Sequence, residues 1–404
     1  MVDFSITNTE KEIMKLMGQQ RKNAISIARF WDDNEQFVGD DSKAPEPPPP
    51  NPEISKKLQE LNAKRASEPG ASSPGMFMSF SRMSMPLGAM VLPRRTGTPQ
   101  PGQRGAGLGN STLAAAGNDE QKKKWGHLNL AMANTEPGCG SDSKAIETTA
   151  LLDGDEWVLN GEKIFVTGGI RCDAVVVWAT LNKEAGRGAI KSFMVIKGTP
   201  GLELAKKEKK LGIRNSDTAA FVLKDCRIPR ENLLGLDEEI RTGGGGFKGL
   251  MQTFNMTRPG VASGGIAHAH ASLDFITEEM KKEGIEVDWE VDSPRRNAIQ
   301  EKLVELEADI DAARLTVIRA SWLAQQGKPN NLEAALCKAK GGGVARFSMQ
   351  LALEMLGGIG ITHDCLVEKE FRDARITDIY EGTGEINRLV VARAILNYSS
   401  EDLM

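Results

Sequence analysis

The chain has 404 residues, of which 40% are hydrophobic and 26% are charged, with a formal net charge of −4 at pH 7. Because one hydrophobic core rarely covers this length, we expect two or three packed regions. The charge balance gives no electrostatic reason to expect nucleic-acid binding, and no apolar run of about 18 residues predicts a membrane span.

The cysteines bear on whether the chain has disulfides or a metal site, and the first residues bear on its cellular compartment. Five widely spaced cysteines without a C-x-x-C pair argue against a disulfide framework and a zinc site, so no metal is expected. The opening "MVDFSITNTEKEIMKLM" has no basic stretch followed by an apolar run. We therefore expect a cytoplasmic protein.

The first third of the chain predicts an α-helical domain over residues 1–127. A helical stripe covers 8–31, and a second helix, "ISKKLQELNAKRA", follows the proline-rich "DDSKAPEPPPPNPE". Residues 66–110 are rich in Pro, Gly, Ser and Met and are expected to be irregular, although "MFMSFSRMSMPLGAMVL" is apolar enough for a core helix.

The remaining chain predicts a β-domain over 128–240 and a helical bundle over 241–404. Short β-type runs such as "DAVVVWATL" and "AAFVLKDCRIP" alternate with turn signals, as in an antiparallel barrel or sandwich. Helical stripes follow at 261–283, 295–326, 331–356 and 385–397, after a glycine run at 243–246 that we interpret as a linker. The fold class is therefore α+β.

Three segments carry side chains suited to chemistry. "ANTEPGCGSDSKA" places the hydroxyls of Thr135 and Ser141 around a glycine-rich bend, which alone is more typical of an ordinary polar loop. "LNGEKIFVTGG" places Phe165 and Thr167 on one strand face. The two side chains could form part of the core and a cross-strand pair, or Phe165 could be the wall and Thr167 the hydrogen-bond donor for a planar cofactor. "IYEGTGE" places Glu381 in a bend between two amphipathic segments, as a solvated turn residue or as a base.

Five blocks of the chain stand in a characteristic order. They are "NTEPGCGSD", "LNGEKIFVTGG", "LGIRNSDTAAFVLKDCRIPRENLLG", "GFKGLMQTFNMTRPGVAS" and "LEMLGGIGITHDCLVEKEFRDARITDIYEGTGEINRLVVAR". Through these blocks the chain resembles the acyl-CoA dehydrogenase family over roughly residues 110–397. This resemblance implies an N-terminal helical domain, a middle antiparallel β-barrel domain and a C-terminal four-helix bundle, with FAD held non-covalently between the last two.

The resemblance also implies roles for individual residues. Glu381 matches the base that removes the α-proton of the thioester, a step that requires a carboxylate within reach and donors for the developing oxyanion. Phe165 stands where the family usually has a tryptophan over the flavin. The residues implied for FAD are Thr135, Ser141, Phe165, Thr167, Gly357, Gly358, Thr383 and Glu385, and those implied for acyl-CoA are Ser141, Asn255, Arg258 and Gly382.

The implied reaction is α,β-desaturation of an acyl-CoA to the 2-enoyl-CoA, with electrons passed to an electron-transfer flavoprotein. The implied assembly is a homodimer, a homotetramer or an α2β2 heterotetramer, in which Gly357 and Gly358 approach FAD from the partner subunit. Two alternatives stay open, an acyl-CoA oxidase and a non-catalytic partner subunit that completes a neighbour's FAD site. Acyl chain length is not indicated.

The largest departure from the family lies between residues 275 and 300. Glu286 stands where most members have an arginine that reaches the FAD pyrophosphate, although Trp289 keeps the aromatic position. Three interpretations stay open: Arg295 or Arg296 replaces the missing cation, FAD binds weakly, or a different partner chain completes the FAD site. Glu354 likewise stands where a glutamine is common.

Overall fold

A computed structural model of the protein describes residues 52–66, 107–240 and 245–398, together with 12, 16 and 32–34. The predicted helix at 54–66 is confirmed as α1. Most of the predicted 8–31 helix, the proline run and the Met-rich segment lie outside the described residues. The helices are α1 Pro52–Ala66, α2 Leu108–Ala116, α3 Asp119–Trp125, α4 Gly245–Lys282, α5 Ala298–Gln325, α6 Asn331–Gly360, α7 Val367–Ala374 and α8 Gly384–Leu396.

The middle region is one seven-stranded sheet in the order β1-β4-β2-β3-β7-β6, with β5 paired to β4. Its pairs are antiparallel as predicted, except that β1 runs parallel to β4 and β2 touches β4 in parallel at a single position. The strands are β1 Leu130–Ala133, β2 Thr149–Asp153, β3 Glu156–Thr167, β4 Ala174–Thr180, β5 Ile190–Ile196, β6 Leu202–Lys207 and β7 Thr218–Pro229.

The C-terminal region packs α4, α5, α6 and α7 around one apolar core, and α8 lies against α6. Helix α4 already contains Gly245 and Gly246, so the linker predicted for the glycine run is wrong for its second half. The predicted α+β fold with a helical bundle is confirmed. Among the helices that the structure describes, none combines the length and apolarity needed to cross a membrane.

The β-domain contacts the bundle through the loop between β6 and β7. The N–H of Ile213 donates to Asp373 Oδ1 on α7 at 2.5 Å, and Arg372 Nη1 donates to the carbonyl of Leu211 at 3.1 Å. Between these contacts, a Cβ placed on Gly212 would lie 2.2 Å from the carbonyl oxygen of Arg372. Only glycine permits this backbone approach.

Substitution of Gly212 by alanine is expected to separate the two backbones and to lower the free energy of unfolding by about 1–3 kcal/mol. Urea unfolding of the purified protein measures the loss. Gly260→Ala is the matched control, because a Cβ at Gly260 meets no atom within 4 Å. Equal stability of the two variants would contradict the close contact.

Candidate active site

Glu381 lies in a backbone bend that separates a short helical turn, Arg375–Asp378, from helix α8. Its φ is +59° and that of Gly382 is +91°, so two consecutive residues adopt left-handed conformations. A left-handed glutamate is strained by about 1–3 kcal/mol, and such strain is retained mainly at functional sites. Thr383 then caps α8 by accepting a hydrogen bond from the N–H of Ile386 at 3.2 Å.

The carboxylate of Glu381 is held by a hydroxyl from α4. Thr257 Oγ1 donates to Glu381 Oε2 at 2.6 Å, and Thr257 itself is buried. Burial raises the pKa of the Glu381 carboxyl above its ordinary value, while the Thr257 hydrogen bond and the positive charges of Arg258 and Lys338 oppose the rise. A carboxylate in this environment is a stronger proton acceptor than one in water.

Three side chains from three helices hold the carbonyl groups of the same bend. Arg258 Nε of α4 donates to the carbonyl of Glu381 at 3.1 Å, and Lys338 Nζ of α6 donates to that of Gly382 at 3.1 Å. Asn387 Nδ2 of α8 donates to the carbonyls of Gly382 and Thr383, at 2.7 Å and 3.0 Å. The bend is therefore rigidly oriented by the bundle.

The structure thus brings Arg258 and Gly382 together with Glu381, as the sequence predicts, and it adds three residues that sequence reasoning missed. Asn255 lies one helical turn before Arg258 and is half-buried; its carbonyl accepts from Asn330 Nδ2 at 3.3 Å. The missed residues are Thr257, Lys338 and Asn387. A lysine on the apolar stripe of α6, next to Cys337, is a signal that a search for buried charges would have found.

A second group of residues surrounds the bend between β1 and β2. The N–H of Ile164 in β3 donates to the carbonyl of Thr135 at 2.9 Å, so this loop lies against β3. Beneath it, Lys163 Nζ pairs with Glu136 Oε1 at 2.6 Å and donates to the carbonyl of Asn134 at 3.2 Å, and both charged side chains are buried. The pair fixes the loop that carries Thr135 and Ser141.

Phe165 is the most unusual residue of β3. Its φ is +55°, its side chain is 59% exposed, and the strand register shifts between Lys163 and Val166. Thr167 is exposed as well, while the intervening Val166 is buried, so Phe165 and Thr167 are both directed away from the sheet core. An exposed aromatic ring two residues from an exposed threonine fits the face of a planar cofactor such as FAD, which would cover the apolar surface.

Gly357 and Gly358 do not join the Glu381 site within one chain. They lie 19 residues after Lys338 on α6, a separation of about 28 Å at about 1.5 Å per helical residue. Gly357 breaks the helix with a φ of +53°, and a Cβ on either glycine would meet no atom within 4 Å. This open, exposed surface is accessible to another molecule. Glu385, in the first turn of α8, is also exposed.

The loop that carries Glu286 lies between α4 and α5, where Glu286 and Trp289 are exposed. Arg295 pairs with Asp292 at 2.5 Å, and Arg296 Nε donates to the carbonyl of Val291 at 3.1 Å. Both candidate replacements for the missing cation therefore already have a partner inside the loop.

Comparisons with known proteins agree with this geometry. The family profiles described as "Acyl-CoA dehydrogenase, middle domain" and "Acyl-CoA dehydrogenase, C-terminal domain" match residues 131–226 and 244–396. The chain is 40% identical over 286 residues to the short-chain specific acyl-CoA dehydrogenase of Rattus norvegicus mitochondria, covering 69% of this chain and 67% of that protein.

Two further similarities extend the comparison. An acryloyl-CoA reductase (NADH) of Anaerotignum propionicum is 37% identical over 289 residues, covering 69% of this chain and 71% of that protein. The butyryl-CoA dehydrogenase structure of Megasphaera elsdenii aligns with a TM-score of 0.76 and 28% identity, covering 98% of this chain and all of that one. The chain therefore belongs to the acyl-CoA dehydrogenase family of FAD-dependent oxidoreductases.

Proposed function

We propose that the protein converts a short-chain acyl-CoA to its 2-enoyl-CoA, with Glu381 as the base that removes the α-proton. The observation that carries this proposal is the strained Glu381 bend, where the carboxylate accepts a hydrogen bond from the Thr257 hydroxyl and two buried cations bind the backbone carbonyls. The chain-length class is supported by the names of the rat and Megasphaera relatives, which refer to short-chain and butyryl substrates.

The residues of the bend supply the proton chemistry. Glu381 must be ionised to accept the α-proton, and its raised pKa makes it a better acceptor for a weak carbon acid. Thr257 and the cations of Arg258 and Lys338 oppose protonation before substrate binds. Because Arg258, Lys338 and Asn387 hold the carbonyls of the bend, we assign the N–H of Glu381 as a donor for the thioester oxygen.

The reaction balances as a two-electron oxidation. The α-proton moves to the Glu381 carboxylate, the electrons of that C–H bond form the double bond, and the β-hydrogen leaves with its own electron pair. FAD, when bound, supplies the oxidant that accepts this hydride. Thr135, Ser141, Phe165 and Thr167 are the residues of this chain that we assign to the flavin. The loop that carries the first two lies against β3 at Thr135, and Ser141, Phe165 and Thr167 are exposed.

The acceptor of the electrons and the assembly form part of the same proposal. We assign an electron-transfer flavoprotein as the acceptor, on the strength of the family resemblance. We also assign a second copy of the chain, or a related chain, to the surface around Gly357 and Gly358. Ile359 and Ile361 beside them are 49% and 69% exposed, which favours burial against another subunit.

Anaerobic mixing of the FAD-loaded protein with a panel of acyl-CoAs tests the function. Loss of flavin absorbance is expected with butyryl-CoA and is expected to weaken as the acyl chain lengthens. No bleaching by any straight, branched or cyclic acyl-CoA would refute the proposed reaction.

The same samples separate the related activities. Rapid reoxidation by air would indicate an oxidase, whereas flavin reduction by NADH would indicate the direction named for the Anaerotignum relative. Lack of FAD in the chain purified alone would favour the partner-subunit alternative.

A further inference from the structure

Lys338 is a fully buried lysine on α6 that lies outside the sequence blocks on which the family resemblance rests. Its side chain is 0% exposed, and its hydrogen-bond acceptor among the described residues is the carbonyl oxygen of Gly382, not a carboxylate. Burial of an ammonium group without a directly bonded counter-ion is unfavourable, so such groups are usually retained for function.

The hydrogen bond to Gly382 is not required to satisfy that carbonyl. Asn387 Nδ2 donates to the same oxygen at 2.7 Å, which is shorter than the 3.1 Å contact from Lys338 Nζ. Loss of the lysine would therefore leave no unpaired carbonyl in the bend. The distinctive property of Lys338 is therefore its positive charge, which is held at Gly382, the residue next to Glu381.

In the described part of the chain, four other charged or titratable groups face Lys338. Asp378 and Glu381 are the acids, Arg258 of α4 is the other cation, and Cys337 is the adjacent thiol. Asp378 lies within 4.0 Å of two other cations, Arg346 Nε at 3.6 Å and Arg375 Nη1 at 3.8 Å. Asp378 interacts more strongly with Lys338 than Glu381 does, but it is also shared with these two arginines.

We propose that Lys338 is a positioning residue for the Glu381 base. Lys338 binds the Gly382 carbonyl and supplies a positive charge that favours the ionised Glu381 carboxylate. This inference rests on the proposed function of Glu381. Burial lowers the pKa of Lys338 to about 8, so the side chain is still mostly charged at pH 7. The charge of Lys338 in turn lowers the pKa of Glu381 against the effect of burial.

The test compares the FAD-loaded wild type with Lys338→Met, which keeps the length of the side chain and removes its charge. The rate of flavin reduction by butyryl-CoA is measured anaerobically between pH 5.5 and 9. The acid limb of the profile is expected to move upward by up to about 1 pH unit, with up to about a tenfold lower rate below it, because a positive charge that favours the ionised Glu381 carboxylate has been removed. Lys338→Arg is expected to restore the limb.

Lys340→Met is the matched control, because Lys340 lies on the same helix and pairs with Asp309 on the bundle surface. Its acid limb is expected to coincide with that of the wild type. A Lys338→Met protein with normal FAD content and an unmoved acid limb would overturn the proposal.

A second measurement uses no substrate and separates this inference from the proposed reaction. Thermal unfolding is compared for Lys338→Met, Glu381→Gln and the double variant of the FAD-loaded protein. Coupling between the charges predicts that the shift in unfolding temperature caused by Glu381→Gln differs when Lys338 is absent. If butyryl-CoA fails to bleach the wild type, the proposed reaction fails. The unfolding temperatures still test Lys338 in that case. Additive shifts in unfolding temperature would overturn its role, and non-additive shifts would support it.

Discussion

Glu381→Gln is expected to lower the rate of flavin reduction by butyryl-CoA by about 10²–10⁴-fold, the usual contribution of a general base. Glutamine preserves the size and the left-handed bend but cannot accept the α-proton. FAD content and the hydrogen bonds from Arg258 and Asn387 to the backbone of the bend are expected to persist, since they involve carbonyl groups. Stopped-flow absorbance of the flavin measures the loss.

The same substitution is expected to raise the unfolding temperature at pH 7. The pKa of Glu381 is higher in the folded state than in the unfolded chain, so folding is favoured while the carboxyl is protonated in both states. This stability is lost as pH rises from the ordinary range of a glutamate through the raised folded value. Glutamine does not ionise and therefore removes that loss. The difference in unfolding temperature between Glu381→Gln and the wild type should shrink as pH falls toward 5.

Glu203→Gln is the control for both measurements, because Glu203 is exposed on β6. It is expected to change neither the reduction rate nor the pH dependence of unfolding. A Glu381→Gln protein that reduces flavin at the wild-type rate would contradict the assigned base. Equal stability of this variant and the wild type at neutral pH would contradict the raised pKa.

Lys163→Met is expected to destabilise the protein by about 3–5 kcal/mol, since it leaves the buried Glu136 carboxylate without its cation. Glu136 Oε2 also accepts from the N–H of Glu147 at 2.7 Å, and Oε1 from that of Thr148 at 3.1 Å. The uncompensated charge would therefore disturb the loop that carries Thr135 and Ser141. Urea unfolding and the FAD content of the purified protein measure the two consequences.

The double variant Glu136→Gln/Lys163→Met tests the cause of that loss. Removal of both charges is expected to recover part of the stability, because no buried charge is left unpaired. Lys224→Met, at an exposed position of β7, is the control and is expected to stay within about 0.5 kcal/mol of wild type. A double variant less stable than Lys163→Met would contradict the ion-pair explanation.

Local sequence patterns predicted most of the secondary structure. Strands β2 to β7 lie between turn signals that the sequence displays directly, and long helical stripes mark α4, α5, α6 and α8. Strand β1 was missed because it has four residues and pairs in parallel with β4, about 44 residues later. Its partner is set by the tertiary fold, and no local turn indicates it.

The candidate site was predictable only where the family resemblance assigns a role to a residue. Glu381, Gly382 and Arg258 were singled out in this way, and the structure brings them together. Thr257 was not, since its hydroxyl meets Glu381 across 124 residues of chain. Lys338 and Asn387 were also missed. They reach the bend only because α6 and α8 pack around it, and helical periodicity does not predict this packing.

Single-turnover flavin reduction with α-deuterated butyryl-CoA tests most directly the claim that Glu381 removes the α-proton. The FAD-loaded wild type is expected to bleach more slowly with substrate deuterated at the α-carbon than with ordinary butyryl-CoA, and Glu381→Gln is expected to bleach negligibly with either. Bleaching of Glu381→Gln at a rate close to wild type, with the same isotope effect, would show that another group removes the proton.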